Sequence, residues 1–180
     1  MAAQDGCNRT DDACGERLLH EFRAWVTERN SQSPRDRATS PMVDMQPVDA
    51  DVDVRAWRAA VRGAPGTPLA DARVQLDVTV PEAYPARPPV VHCRKPIVYH
   101  PNVHPRTGRV RLDFLEAATW NAETTLAVAL ARVGAALGAP QLDRACHVAA
   151  TRLWVHDAAA YARVARDAAL RHAAHADRLA

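Results

Sequence analysis

"HPNVHPRTGRVRLDF", residues 100–114, opens as a rigid polar turn and closes in an apolar run. Pro101, Pro105 and Gly108 fix the first half as turn, and the order of the two halves is that of a reaction-site wall. Position 111, where a reactive side chain is expected, is an arginine. A guanidinium stays protonated in water and offers no nucleophilic lone pair. The stretch therefore frames a site and lacks the group it should serve.

Upstream, "ERLLHEFRAWVTERN" places Leu18, Leu19, Phe22 and Val26 at helical spacing. "SQSPRDRATSP" is expected to be loop because of its two Ser-Pro steps. In "VRAWRAAVRG" Trp57, Ala59 and Val61 alternate with Arg58, Ala60 and Arg62, as in a half-buried strand. "ARVQLDVTVP" alternates more strictly, with Val74, Leu76, Val78 and Val80 inward, and it ends at Pro81. "PEAYPARPP" holds too many prolines for regular structure, and "VVHC" reads as a further strand.

Downstream, Leu126, Leu130, Val133 and Leu137 share a helical face, with Thr124 as N-cap and Gly138 and Pro140 as stop. A short helix near 145–153 and a long alanine-rich one near 157–176 complete the pattern. Residues 1–14 are polar and are expected to be a disordered tail. Residues 15–180 then form one α+β domain, long enough for a real core.

Composition excludes several classes. The 23 Lys and Arg against 21 Asp and Glu leave a net charge of +2, spread without like-charge runs, so no nucleic-acid groove is expected. No apolar stretch approaches membrane-spanning length, so no direct membrane insertion is expected, and the start lacks the apolar core of a signal peptide. Cys7, Cys14, Cys93 and Cys146 show neither CxxC pairing nor zinc-finger spacing. They read as reduced, independent thiols in a cytoplasmic or nuclear compartment, and no metal or other cofactor is expected.

Five landmarks in order then carry a resemblance: Trp57 followed by "GAPGTPL", "VPEAYPARPP", "VYHPNV", "TGRVRLDFL" and Trp120. They resemble the ubiquitin-conjugating enzymes and their inactive variants, over nearly the whole chain from about residue 15. The resemblance implies a four-stranded antiparallel meander between an N-terminal helix and C-terminal helices. In that family a cysteine accepts ubiquitin as a thioester and passes it to an amine. The asparagine of the HPN signature either stabilises the oxyanion or orders the neighbouring loop. Here that asparagine is Asn102, His100 and Pro101 hold the turn, and the cysteine aligns on Arg111, one residue further from the asparagine than usual. Cys93, in or just after the preceding strand, and Cys146, at the start of the short helix, are the cysteines that flank this gap.

The resemblance also locates partner surfaces. The ligase-facing loop carries Ala86 where the family has an exposed aromatic anchor. The second such loop reads Trp120, Asn121, Ala122, Glu123 and lacks the family's proline. Losing an aromatic anchor commonly costs about 2 kcal/mol. Arg17 and Arg23 stand where the first helix of the family meets the activating enzyme. Lys95 is the sole lysine and so the one side-chain amine for self-modification, or simply a surface charge.

The longer loop and "MQPVDADVDVRAW" resemble the peroxisomal, peroxin-type conjugating enzymes. The leading expectation is a non-catalytic variant acting as cofactor or scaffold with ubiquitin or a ubiquitin-like protein, an active conjugating enzyme or a ligase. The alternative is a functional peroxisomal-type enzyme at the cytosolic face of the peroxisome, recruited by a membrane protein. It would use a displaced cysteine, or Arg111 would stand for cysteine through a single-codon change. An unrelated α+β binding module is the third reading.

Overall fold

The computed structural model describes residues 9–49, 53–70 and 72–176. Helix α1 (Arg9–Ser31) comes first, then a short α2 (Pro34–Thr39) and strands β1 (Met42–Asp49), β2 (Asp53–Arg62), β3 (Arg73–Thr79) and β4 (Val90–Cys93). Helices α3 (Leu126–Ala136), α4 (Val148–His156) and α5 (Ala158–Ala176) close the chain. The strands form one antiparallel sheet in the order β1-β2-β3-β4, the α+β meander expected from the sequence.

One apolar cluster joins the sheet to α1 and α3. Val74, Leu76 and Val78 of β3 point into it beside Trp57, Ala59 and Val61 of β2, as the period of two requires. Leu126, Leu130, Val133 and Leu137 enter it from α3. Trp57 is 1% exposed, and its indole N–H donates to the Val54 carbonyl at 2.7 Å, so the one polar atom of that large side chain is satisfied inside the core.

Several expectations shift. Part of the tail expected over residues 1–14 is helical, because α1 begins at Arg9, and Cys14 is buried; residues 1–8 lie outside the described residues. The loop expected over 31–41 contains α2. Ser33 caps it by accepting the Asp36 N–H at 3.2 Å, and a proline occupies its first turn. That is the usual chemistry of a helix start. Thr125, not Thr124, caps α3 by accepting the Val128 N–H at 3.3 Å. Ala60, expected outward, is buried between its cross-strand neighbours Asp44 and Gln75.

Strand β1 has no period-two signature to read. A register irregularity between Met42 and Asp44 puts the buried Met42 and Met45 three positions apart. Pro47 is tolerated because β1 is an edge strand.

On α1, Leu19 and Val26 are only half-buried, while Glu21 is 5% exposed. The Glu21 carboxylate accepts the Tyr84 hydroxyl at 3.0 and 2.8 Å, the Leu126 N–H at 2.8 Å and the Arg17 guanidinium at 2.5 Å. One buried anion thus ties α1 to the proline-rich loop and to the positive N-terminal end of α3. Burial, together with Glu21, pushes the Tyr84 hydroxyl well above its ordinary pKa, so it remains a donor.

Replacing Glu21 by alanine strands the Leu126 N–H in the core and leaves the Tyr84 hydroxyl only the Thr124 carbonyl at 3.4 Å. Urea unfolding is expected to show a loss of about 3 kcal/mol. Glu21→Gln, which keeps an acceptor, is expected to lose less.

Candidate functional site

After β4 the chain turns back along its own strand. His92 and Arg109 form an antiparallel bridge, as do Val103 and Val110. The Cys93 N–H donates to the Gly108 carbonyl and the Val110 N–H to the Val91 carbonyl. Gly108 has φ +75, and a Cβ there would stand 2.2 Å from the Cys93 carbonyl oxygen, so no other residue fits this approach.

Inside this return lies the His100-Pro101-Asn102 turn. His100 is 1% exposed, and its Nδ1 accepts the Asn102 N–H at 3.1 Å. Burial, helped by nearby His147, holds its pKa down at about 3, so the ring is neutral.

The Asn102 carboxamide is bonded at both ends. Its Nδ2 donates to the Gln141 carbonyl at 2.7 Å, and its Oδ1 accepts the Gln141 N–H at 2.9 Å. The Gln141 side chain grips Asp113 in the same two-ended way. Its Oε1 accepts the Asp113 N–H at 2.9 Å, and its Nε2 donates to Asp113 Oδ1 at 2.8 Å. That amide holds the Asp113 carboxyl below its ordinary pKa.

Arg111 sits between these anchors. Its N–H donates to the Asn102 carbonyl at 2.8 Å, while its side chain is exposed and lies 3.8 Å from Glu116. An exposed pair at that distance contributes roughly 0–1 kcal/mol. The main chain at position 111 is fixed; the side chain is not.

The cysteines divide clearly. Cys93 is 3% exposed, and burial pushes its thiol up to about 11. Cys146 lies just before α4 rather than within it, with its N–H donating to the Pro101 carbonyl at 2.9 Å. Its half-buried thiol is raised by burial, and the Arg111 charge acts the other way. Cys146 is thus next to the turn, and Cys93 is inside the core.

The two loops that the resemblance turns toward a ligase meet. The Trp120 indole N–H donates to the Pro85 carbonyl at 2.7 Å, and the Trp120 and Tyr84 rings lie 6.3 Å apart. Ala86, Asn121 and Ala122 are exposed beside this contact, and Asn121 Oδ1 accepts the Glu123 N–H. On α1 Arg23 is exposed, whereas the Arg17 guanidinium is committed to Glu21. Sequence reasoning missed Gln141, Asp113 and Glu21. The first lies 39 positions from Asn102, and no local pattern marks it. Glu21, by contrast, falls at i+3 from Leu18 on the buried face.

A meander carrying this braced turn on its last strand defines the ubiquitin-conjugating class of fold. The family model for the ubiquitin-conjugating enzyme matches residues 26–169, and the chain belongs to that family. Among its relatives is the ubiquitin-conjugating enzyme E2 pex4 of Dictyostelium discoideum, 36% identical over 91 residues. That match takes in 51% of this chain and 60% of that protein, less than two thirds of its length. PEROXIN-4 of Arabidopsis thaliana is 33% identical over 125 residues, 69% of this chain and 77% of that protein. The crystal structure of H. polymorpha ubiquitin-conjugating enzyme Pex4p in complex with the soluble domain of Pex22p superposes with a TM-score of 0.77 at 24% identity. It covers 88% of this chain and 97% of that one, and speaks for the fold. Among the described residues, no helix is long and apolar enough to cross a membrane.

Two outcomes follow from the bracing. Asn102→Ala is expected to lower stability by about 2 kcal/mol and to release the Gln141 amide to hydrogen exchange. Asn102→Asp sets a carboxylate oxygen against the Gln141 carbonyl, so it is expected to lose similar stability while keeping the Gln141 amide protected.

The second concerns pH. Neutral His100 is favoured in the fold, against an ordinary pKa of about 6.5 in the unfolded chain. Its contribution is complete above pH ~6.5 and is lost as pH falls from there toward about 3. Denaturation measured across that window is expected to show a shallower slope for His100→Phe.

Proposed function

We propose that this chain is a non-catalytic member of the ubiquitin-conjugating fold, serving ubiquitin transfer as a cofactor or scaffold. Arg111 carries this reading: it stands between Asn102 and Leu112-Asp113, where the resemblance places the thioester cysteine. A guanidinium forms no thioester, and the Asn102 carboxamide braces the Gln141 main chain from both ends. His100 and Asn102 then keep a structural role.

The proposed partners are ubiquitin or a ubiquitin-like protein and an active conjugating enzyme or ligase. The Ala86 methyl and the Asn121-Ala122 tip offer no aromatic anchor, so a ligase that docks here uses other contacts than the family's usual one. Arg23 remains a contact candidate on α1; Arg17 serves the core through Glu21. Likeness to the peroxin-type relatives supports a place in the cytoplasm or at the cytosolic face of the peroxisome. There a membrane protein would recruit the domain, much as the soluble domain of Pex22p assembles with Pex4p.

One observation favours a second reading, a working enzyme with a displaced nucleophile. Cys146 donates its N–H to the Pro101 carbonyl, and its thiol feels the Arg111 charge. Cys93 offers no such route, because its thiol is buried and its pKa raised.

Charging with activating enzyme, ATP and ubiquitin, run with and without reductant, separates the readings. The native chain is expected to stay uncharged while Arg111→Cys charges, since the bond from the residue 111 N–H to Asn102 is made by the main chain and survives the substitution. A reductant-sensitive adduct on the native chain that Cys146→Ser abolishes would establish the second reading. If neither version charges, the frame itself is not competent and the loss is wider than one side chain.

A further inference from the structure

Beside the turn, and separate from Arg111, lies a cleft of about 840 Å³ whose walls come from the segment after β4, the 104–109 loop and the end of α5. Its cations are Lys95, Arg106 and Arg171, exposed like the neighbouring His175, and Ile97 and Ala174 supply apolar surface between them. No carboxylate lines it. Among the described residues none of the four makes an ion pair, and the nearby Asp77 is taken up by Arg94 at 3.5 Å. In a chain with a net charge of only +2, gathering unpaired cations around one recess leaves a local field without compensation.

Both walls are held in place. His104 Nδ1 accepts the Thr107 N–H at 3.2 Å and lies 3.1 Å from the Thr107 hydroxyl. The Gly108 N–H donates to the His104 carbonyl, and the His104 N–H to the Arg109 carbonyl. The loop that presents Arg106 is thus closed on itself. On the other side His172, 2% exposed, accepts the Gln75 N–H at Nε2 and donates from Nδ1 to the Pro96 carbonyl, both at 2.7 Å. One buried imidazole therefore clamps α5 to β3 and to the Lys95-Pro96 turn, fixing Arg171 and His175 opposite Lys95 and Arg106.

We propose that this cleft binds an acidic peptide segment of a partner protein, its carboxylates on Lys95, Arg106 and Arg171 and an apolar side chain on Ile97 and Ala174. A peptide is favoured over a lipid surface because it can set carboxylates on Lys95, Arg106 and Arg171 and an apolar side chain on Ile97 between them at the same time. Cations carried on a fixed backbone around apolar surface match the way acidic motifs are recognised, their side chains being ordered on binding. The site is independent of whether position 111 ever carries a thioester.

The test is fluorescence anisotropy with a short fluorescein-labelled peptide of glutamates around a central leucine. Saturable binding that weakens as salt rises is expected. Arg106→Glu combined with Arg171→Glu is expected to weaken it about tenfold. Arg37→Glu, the same kind of charge reversal on α2 outside the cleft, is expected to change it by less than about twofold. Replacing the central leucine by serine is expected to weaken binding at constant charge.

Equal losses from Arg37→Glu and from the cleft variants would overturn the proposal, because only net charge would then matter. So would binding confined to phosphatidylserine vesicles, or the absence of saturable peptide binding. All substituted positions are exposed, and thermal melts confirm that the variants fold. If the double variant does not, Lys95→Glu alone takes its place: a loss of binding supports the cleft, and unchanged binding overturns it.

Discussion

The two-ended hydrogen bond between the Asn102 carboxamide and the main chain of Gln141 holds the candidate site together. It joins a turn that follows β4 to a loop that follows α3, across 39 residues. Gln141 passes the constraint on to Asp113 through its own carboxamide. The Pro101 carbonyl meanwhile accepts the N–H groups of Cys146 and His147 and so anchors the approach to α4. Buried amides that satisfy one another in pairs leave no free donor or acceptor to draw in water. The geometry around position 111 is therefore set by main-chain and carboxamide contacts, and the side chain that occupies position 111 contributes nothing to it.

That separation explains how a nucleophile could be absent without collapse of the frame. The Arg111 N–H serves the turn, and its guanidinium points to solvent near Glu116. Arginine is large and charged, yet it meets no buried neighbour that would resist it. The Cys93 position behaves in the opposite way. There the side chain is packed in the core and the strand is pressed against Gly108, so any gain of reactivity would require opening the sheet. Of the two cysteines near the turn, the packed one has its thiol pushed up by burial, and the half-buried Cys146 is also raised by burial, with the Arg111 charge opposing that only in part.

Legibility in the sequence followed the physical range of each signal. β3 and α3 were readable because burial imposes periods of two and 3.6 on adjacent residues, and Val74, Leu76, Val78 and Leu126, Leu130, Val133 obey them. β1 was not, because its register irregularity and Pro47 break the period. The helix Pro34–Thr39 was legible in principle: Ser33, a proline and Asp36 form its cap, but a Ser-Pro step marks a loop as readily as a helix start. Asn102 could be placed by resemblance. Its partner Gln141 could not, since a carboxamide that bonds main-chain atoms imposes no requirement on the identity of the residue it meets.

The basic cleft illustrates the same point for charge. Along the chain Lys95, Arg106 and Arg171 are cations in three separate segments, and no run of like charges marks them. They become one surface only because His172 draws α5 onto the Lys95-Pro96 turn while Gly108 lets the 104–109 loop lie against Cys93. Both contacts are made by uncharged groups in the interior, so the electrostatic character of the outside is decided by hydrogen bonds within. A fold of this kind keeps that surface whatever side chain stands at position 111, because the interactions that build it, at His172 and Gly108, do not pass through that position.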